Sequence, residues 1–307
     1  MVSIKQLRYF QAVVRFAHFG RAAEACSVTQ PALSMQIQAL EKELGLQLVE
    51  RSAKGVVLTD GGREVAKRAE RILSDVRELG EYAHHHASTL SGSLHLGVIP
   101  TIAPYALPPL LPLLSAQYPD LELDIRETQT ETLVELLLDG SLDLLFLALP
   151  IDHPDIKTIP LFKDRFLLAT PLGHHVRGRI RAAPELFKDE RLLLLEEGHC
   201  LRDQALMFCN LRQIDNIDVS GASSLSTIVQ MVANGMGLTL LPEISLEFEV
   251  QHSQIKVVKF KKPEPNRVLG LAWRSTSPRH QDFEELGRLI VESRPRRTGT
   301  IAISDTA

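Results

Sequence analysis

The residues with the clearest chemical potential lie in LLLLEEGHCLRDQALMFCN, residues 192–210, which holds two of the three cysteines, Cys200 and Cys209. A cysteine reacts as its thiolate, and thiolate is favoured at a helix N-terminus and beside cationic side chains. His199 and Arg202 supply candidate cations, and Asp203 can orient Arg202. A thiolate that attacks the O–O bond of a peroxide becomes a sulfenic acid, and a second thiol can condense with that acid to give a disulfide. Cys209 is the nearby candidate in sequence. On one helix, two residues nine apart are about 13 Å apart at the helical rise. A disulfide needs Cα atoms roughly 4.4–6.8 Å apart, so bonding requires the segment to unwind. Two buried core thiols, the common fate of cysteine, are the other reading of the pair. Zinc is disfavoured, because His199, Cys200 and Cys209 lack C-x-x-C spacing and a fourth ligand. No metal or cofactor is expected.

The elements that must position this segment are strands and helices in alternation. An apolar strand runs to Leu195, Glu196–Gly198 make a turn, and a short helical stretch follows from His199 and Cys200 to Cys209. Upstream the pattern predicts strand 93–98, helix 104–117, strand 121–127, helix 130–138 and strand 142–148. A second set starts near Leu161, with a late strand over 266–274 followed by a helix. Alternating βα with apolar strands predicts a parallel sheet with helices on its faces. Ligands in such folds sit beyond strand C-termini and at helix N-termini. Thr101, after the first strand, and Thr130, after the second, are placed to face a cleft or to cap helices.

The N-terminal part has a different pattern. Leu7, Phe10, Val14 and Ala17 predict a helix over 4–17 with one apolar face. A short Ala-rich helix over 20–26, a turn at Ser27–Val28, and a helix with Thr29 as N-cap and Pro31 in its first turn follow. That helix places Leu33, Ile37, Leu40 and Leu44 inward and Gln30, Ser34 and Gln38 on a neighbouring face, and Gly45 ends it. This is either a small helical bundle or a helix-turn-helix whose second helix enters the DNA major groove. Gln and Ser both donate and accept, as reading base edges requires. The next residues, LQLVERSAKGVVLTDGG, read as two short strands around a basic turn, a wing that sets Arg51 and Lys54 against phosphates or the minor groove.

From residue 61 to about 88, Val65, Ala69, Ile72, Val76, Leu79 and Ala83 step by four and three, a heptad seam that predicts a helix paired with a second copy. His84, His85 and His86 close it, pointing in different directions, and read as a solvated helix end. Charge is unevenly shared. Residues 1–72 hold eleven Lys/Arg against seven Asp/Glu, whereas the remainder holds 23 against 31. A mildly basic front end on an acidic body fits nucleic-acid binding by the front end alone. With 44% hydrophobic and 23% charged residues, no signal peptide and no membrane-length apolar run, the expectation is a cytoplasmic protein with no membrane partner. Three cysteines are too few for a disulfide scaffold.

The run RAAEACSVTQPALSMQIQALEKELGLQLVERSAKGVVLTDGG closely resembles the DNA-binding module of LysR-type transcriptional regulators, and nearly the whole chain follows that family's layout. One departure is Gln38, where the family often has a basic residue. The resemblance implies an α + α/β chain. Residues 1–60 would be a winged helix-turn-helix, 61–90 a dimerising linker helix and hinge, and 91–307 a two-lobed regulatory domain like periplasmic binding proteins. Lobe I would take about 91–161 and 267–300, and lobe II about 162–266. The segment GHCLRDQ-x-x-x-FC closely resembles the sensing segment of the OxyR-type, peroxide-responsive branch of that family. That likeness implies that Cys200 is the peroxide-reacting thiol and Cys209 the resolving one, in a reversible disulfide. It also implies that Thr101, Thr130, His199, Asp203 and Arg267 line or support the pocket. The DNA contacts would come from Thr29, Gln30, Pro31, Ser34, Gln38, Arg51 and Lys54. The implied partners are double-stranded DNA, hydrogen peroxide, RNA polymerase, a second copy through the linker helix and a homotetramer, and a thiol reductant such as a glutaredoxin or thioredoxin system. The expected function is activation of oxidative-stress genes. Two other readings are a LysR-type regulator that senses a small metabolite in its cleft, and a thiol peroxidase, for which the wing and seam would have no purpose. No enzyme activity is expected.

Overall fold

The computed structural model describes residues 1–52, 55–84, 89–174, 191–208, 217–218, 222–251, 253–262 and 264–294. They fall into two compact units, one comprising Met1–Ala87 with Leu136–Leu142, the other Ser88–Glu135 with Asp143–Ala307.

In the first unit, α1 (Ile4–Phe16) starts at a capping box between Ser3 and Gln6. It buries Leu7, Tyr9, Phe10 and Val13. Val13 rather than Val14 is fully inside, because Tyr9 joins the buried arc and turns it toward 9, 10 and 13. Ala17 lies beyond the helix as its left-handed C-cap instead of on the apolar face. α2 (Phe19–Ala25) is capped by the His18 ring, whose Nδ1 accepts from the N–H groups of Gly20 and Arg21. α3 (Gln30–Leu44) buries Leu33, Ile37 and Leu40 and stops at Gly45, whose φ of 64° suits a residue without Cβ. Thr29 occupies the N-cap position, but its side chain makes no capping hydrogen bond. β1 (Val49–Ser52) and β2 (Gly55–Leu58) pair antiparallel as the wing. The wing is tied inward where Glu41 Oε1 accepts from the N–H of Leu48 and Val49 and where Val56 N–H donates to Ala17 O.

α4 (Asp60–His84) follows, with Thr59 Oγ1 accepting from Gly62 N–H at 2.8 Å. Its apolar seam divides. Ala69 is buried in the helix-turn-helix core, with Val65 packed against it. Ile72 and Leu79 stay exposed, at 43% and 71%. His85 and His86 lie outside the described residues.

After α4 come β3 (Gly92–Val98), α5 (Ala103–Gln117), β4 (Leu121–Glu127), α6 (Thr130–Leu138), β5 (Leu144–Leu149) and β6 (Ile156–Pro171), all in the second unit except the last residues of α6, from Leu136. β7 (Leu192–Leu193), α7 (Cys200–Phe208), β8 (Ile217–Asp218), α8 (Leu225–Ala233) and β9 (Thr239–Pro242) come next. A 3-10 turn (Glu243–Ser245), α9 (Leu246–Gln251), β10 (Ile255–Val258), β11 (Asn266–Arg274) and α10 (His280–Glu292) complete it. β3 lies parallel between β4 and β5, as the βα alternation predicts. The wholly parallel sheet is corrected, however. β11 runs antiparallel to both β5 and β6, and β9 and β10 pair antiparallel with β6. A crossover helix precedes each parallel partner of β3, whereas β10 and β11 follow one another in the same direction along β6, both antiparallel to it. β6 serves two neighbourhoods: its first part, Ile156–Arg165, pairs with β11, and Phe166–Pro171 pair with β9 and β10. Tyr105, Phe166, Leu193, Leu195, Leu201 and Ile228 share one buried core, which anchors α5, β6, β7, α7 and α8 together.

Candidate functional site

The site is built on a cross-strand pair. Arg267 of β11 stands opposite Asp164 of β6 in the register. Arg267 Nε donates to Asp164 Oδ2 at 2.9 Å, and the two side chains are 0% and 2% exposed. The rest of the guanidinium reaches the turn after β3, where Nη1 donates to Thr101 Oγ1 at 2.8 Å and Nη2 to Thr101 O at 3.1 Å. Asp164 Oδ1 in turn accepts from Ile244 N–H at 3.0 Å. One buried ion pair thus ties four segments together, with every charged contact satisfied by a hydrogen bond, as a low-dielectric setting demands.

The segment that bears Cys200 is held separately. Leu201, beside Cys200, is sunk in the core with Tyr105 and Phe166. Cys200 is the first residue of α7, half-buried and unbridged. Upstream, Gly198 has a φ of +89°, and a Cβ there would come within 2.3 Å of Gln129 Oε1. Gln129 Nε2 donates to Glu197 O at 3.3 Å. The turn that delivers His199 and Cys200 is therefore pressed against the residue that precedes Thr130. Thr130 begins α6, and its Oγ1 is buried with no hydrogen-bond partner. An orphaned hydroxyl of this kind is costly unless a small polar molecule meets it.

His199 is 5% exposed, and burial pushes its pKa below the usual histidine range, with Glu196 opposing weakly from 3.9 Å. The expectation of a cationic His199 is thereby corrected. The ring is neutral at pH 7 because desolvation outweighs one distant carboxylate. Arg202 carries the permanent positive charge of the segment, with Nη1 3.3 Å from Glu197 Oε1. Asp203 is exposed, and Glu197 rather than Asp203 holds Arg202, because α7 turns positions 202 and 203 in different directions. Cys209 lies outside the described residues. Among the described residues, no group of three His, Cys, Asp or Glu side chains converges in a way that would hold a metal ion.

On the N-terminal unit, Thr29, Gln30, Pro31 and Gln38 are exposed along α3 and Ser34 is half-buried. Arg51 is paired in β1 with Val56, while Lys54 lies outside the described residues.

Residues 4–63 match the bacterial regulatory helix-turn-helix protein family, lysR type, and residues 87–294 match the LysR substrate binding domain. The chain belongs to the LysR family. It is 40% identical over 291 residues to the hydrogen peroxide-inducible genes activator of Pectobacterium carotovorum, covering 95% of this chain and 96% of the relative. To the DNA-binding transcriptional dual regulator OxyR of Escherichia coli it is 39% identical over 289 residues, covering 94% and 95%. Among solved structures, a full-length cysteine-to-aspartate variant of OxyR from Pseudomonas aeruginosa matches with a TM-score of 0.79 at 36% identity, covering 95% of this chain and 98% of that one. A hydrogen-peroxide-bound cysteine-to-serine variant of OxyR from Corynebacterium glutamicum matches with a TM-score of 0.66 at 36% identity, covering 95% and 92%.

In this LysR-family chain, four residues with structural ties in this unit escaped the sequence reading. Asp164 is the buried partner of Arg267, and its signal was a lone acid between two basic residues in a segment flanked by apolar ones, LFKDRFLL. Gln129 carried no signal. Tyr105 and Glu249 form a further buried pair, with Tyr105 Oη donating to Glu249 Oε1 at 2.7 Å and Ser226 Oγ donating to the same oxygen at 2.8 Å. Among the described residues, no helix is long and apolar enough to cross a membrane.

Proposed function

We propose that this chain is a double-stranded-DNA-binding transcriptional activator switched by hydrogen peroxide. The observation that carries this reading is Cys200 as the first residue of α7, directly after the buried His199, on a turn whose Glu197 carbonyl accepts from Gln129, the residue before the orphaned Thr130 hydroxyl. A cysteine reacts as its thiolate, and Arg202 stands two residues after Cys200. The Cys200 thiolate attacks one peroxide oxygen and the O–O bond breaks. Cys200 becomes a sulfenic acid, and the departing hydroxide takes a proton to leave as water. Thr130 Oγ1, and the hydroxyl proton left to Thr101 once its oxygen accepts from Arg267, are the hydrogen-bonding groups offered to the peroxide. The Cys209 thiol then displaces the sulfenic hydroxyl, forming the Sγ–Sγ bond and releasing a second water. A dithiol reductant of the glutaredoxin or thioredoxin class returns both thiols and is itself oxidised. Asp203, exposed on α7, supports the segment from its solvent side.

Disulfide formation cannot occur across an intact α7, so the helix must unwind, and this rearrangement is the signal passed to the rest of the molecule. The DNA end would use Thr29, Gln30, Pro31, Ser34, Gln38, Arg51 and Lys54. Pairing through α4 is supported by the exposed Ile72 and Leu79. A homotetramer and a productive contact with RNA polymerase complete the reading by family resemblance alone, and control of oxidative-stress genes accords with relatives named as hydrogen peroxide-inducible genes activators.

The test is free-thiol counting with peptide mapping after one equivalent of hydrogen peroxide under anaerobic quench. Joint loss of Cys200 and Cys209 as one intramolecular disulfide, with Cys26 still free, is the expected result. If both thiols persist at low peroxide, the sensor reading fails. The match to a substrate binding domain would then favour a small metabolite as the signal.

A further inference from the structure

Helix α3 turns Leu33, Ile37 and Leu40 inward. Its opposite face carries Pro31, Met35, Gln38 and Lys42, at steps of four, three and four, and all four are exposed. Successive steps of three and four keep side chains on one line along a helix. Met35 sits at the centre of that line and is 63% exposed, a large apolar side chain amid polar ones. Its thioether is unbranched and adapts to irregular surfaces.

A helix that lies in the major groove presents this line to the base edges. There the one apolar feature of the base pairs is the C5-methyl group of thymine. Gln38, one turn on, carries the amide that pairs with adenine edges, and Lys42 carries a charge suited to a phosphate. The surrounding residues 1–72 have a net positive charge, which complements a nucleic acid rather than an apolar protein surface.

We propose that Met35 is a specificity-determining residue that packs on a thymine C5-methyl in each operator half-site. The proposal rests on the DNA-binding part of the function proposed above and is independent of the peroxide chemistry. Contact with the methyl removes both it and the Met35 tip from water, which yields discrimination of a few-fold per base rather than the larger ratios of a bidentate hydrogen bond.

The experiment uses the full chain. Duplexes are selected from a random-sequence pool, and each thymine of the selected site is replaced singly by deoxyuridine, which lacks only the methyl. Affinities are measured at one fixed salt concentration by fluorescence anisotropy. At one thymine per half-site, deoxyuridine is expected to weaken the natural chain by about fourfold, the effect of one methyl-sized group. Met35→Ala binds the thymine and deoxyuridine duplexes equally, and Met35→Leu keeps the preference. Deoxyuridine effects that are the same in Met35→Ala as in the natural chain, or absent at every position, overturn the proposal and leave DNA binding standing. Failure to retain any duplex overturns the DNA-binding reading and this proposal together.

Discussion

Arg267 and Asp164 face each other across two antiparallel strands, joined at 2.9 Å with neither side chain in contact with solvent to any extent that matters. Removing one partner of such a pair leaves a buried charge uncompensated, at a cost of about 3–5 kcal/mol. Asp164→Ala is therefore expected to lower unfolding stability by that order in urea titration. Thr101→Val keeps the shape but removes the acceptor for Arg267 Nη1. Its expected loss is smaller, ~1–3 kcal/mol. A Thr101→Val loss equal to that of Asp164→Ala would show that the hydroxyl, rather than the ion pair, organises the hub.

Gly198 is expected to be irreplaceable for two separable reasons. Its φ of +89° strains any side chain, and a Cβ would strike Gln129 Oε1. Gly198→Ala should slow oxidation of Cys200, read as the rate of thiol loss in peroxide. Adding Gln129→Ala removes the steric obstacle but leaves the backbone strain, so the double variant should recover only part of the rate. Full recovery would mean that the backbone conformation contributes nothing.

Burial holds the folded-state pKa of His199 below its ordinary value of 6.5. In the unfolded chain that ordinary value returns. Between the two pKa values the unfolded state binds more protons, so stability falls as pH drops below about 6.5. Above that pH both states are neutral at His199 and the group contributes no slope. His199→Gln should accordingly flatten the acidic limb of stability against pH, measured by urea titration from pH 5 to 8. An unchanged limb would place the titrating group elsewhere.

Ile72 and Leu79 are exposed on α4, whereas Ala69 on the same seam is buried in its own unit. If the exposed part pairs with a second copy, Leu79→Glu combined with Ile72→Glu should shift sedimentation toward monomer at micromolar concentration while helix content is retained. Unaltered association would move the dimer contact off this face.

Much of the architecture was legible because it is local. The strand over 121–127, the helix over 130–138 and the strand over 266–274 have the bounds expected from the sequence. Those segments are strongly periodic and bracketed by turn residues, so no distant contact needs to override them. The helix-turn-helix was legible for the same reason, since caps, Pro31 and Gly45 punctuate it within 20 residues. The heptad seam was legible as a pattern but not in its use. Periodicity reports that a face is apolar without saying what covers it, and Ala69 was claimed by the unit's own core.

The sequence by itself determined the element types, the order of the helix-turn-helix, wing and α/β body, and the segment that bears Cys200 and Cys209. All of these follow from neighbours a few residues apart. Only the tertiary structure decided that Asp164 answers Arg267 from 103 residues away, that β11 enters the sheet antiparallel, and that Gln129 packs on Gly198. It also decided that His199 is neutral, because a pKa is set by the solvent excluded around a side chain, and no local pattern of residue types encodes that burial.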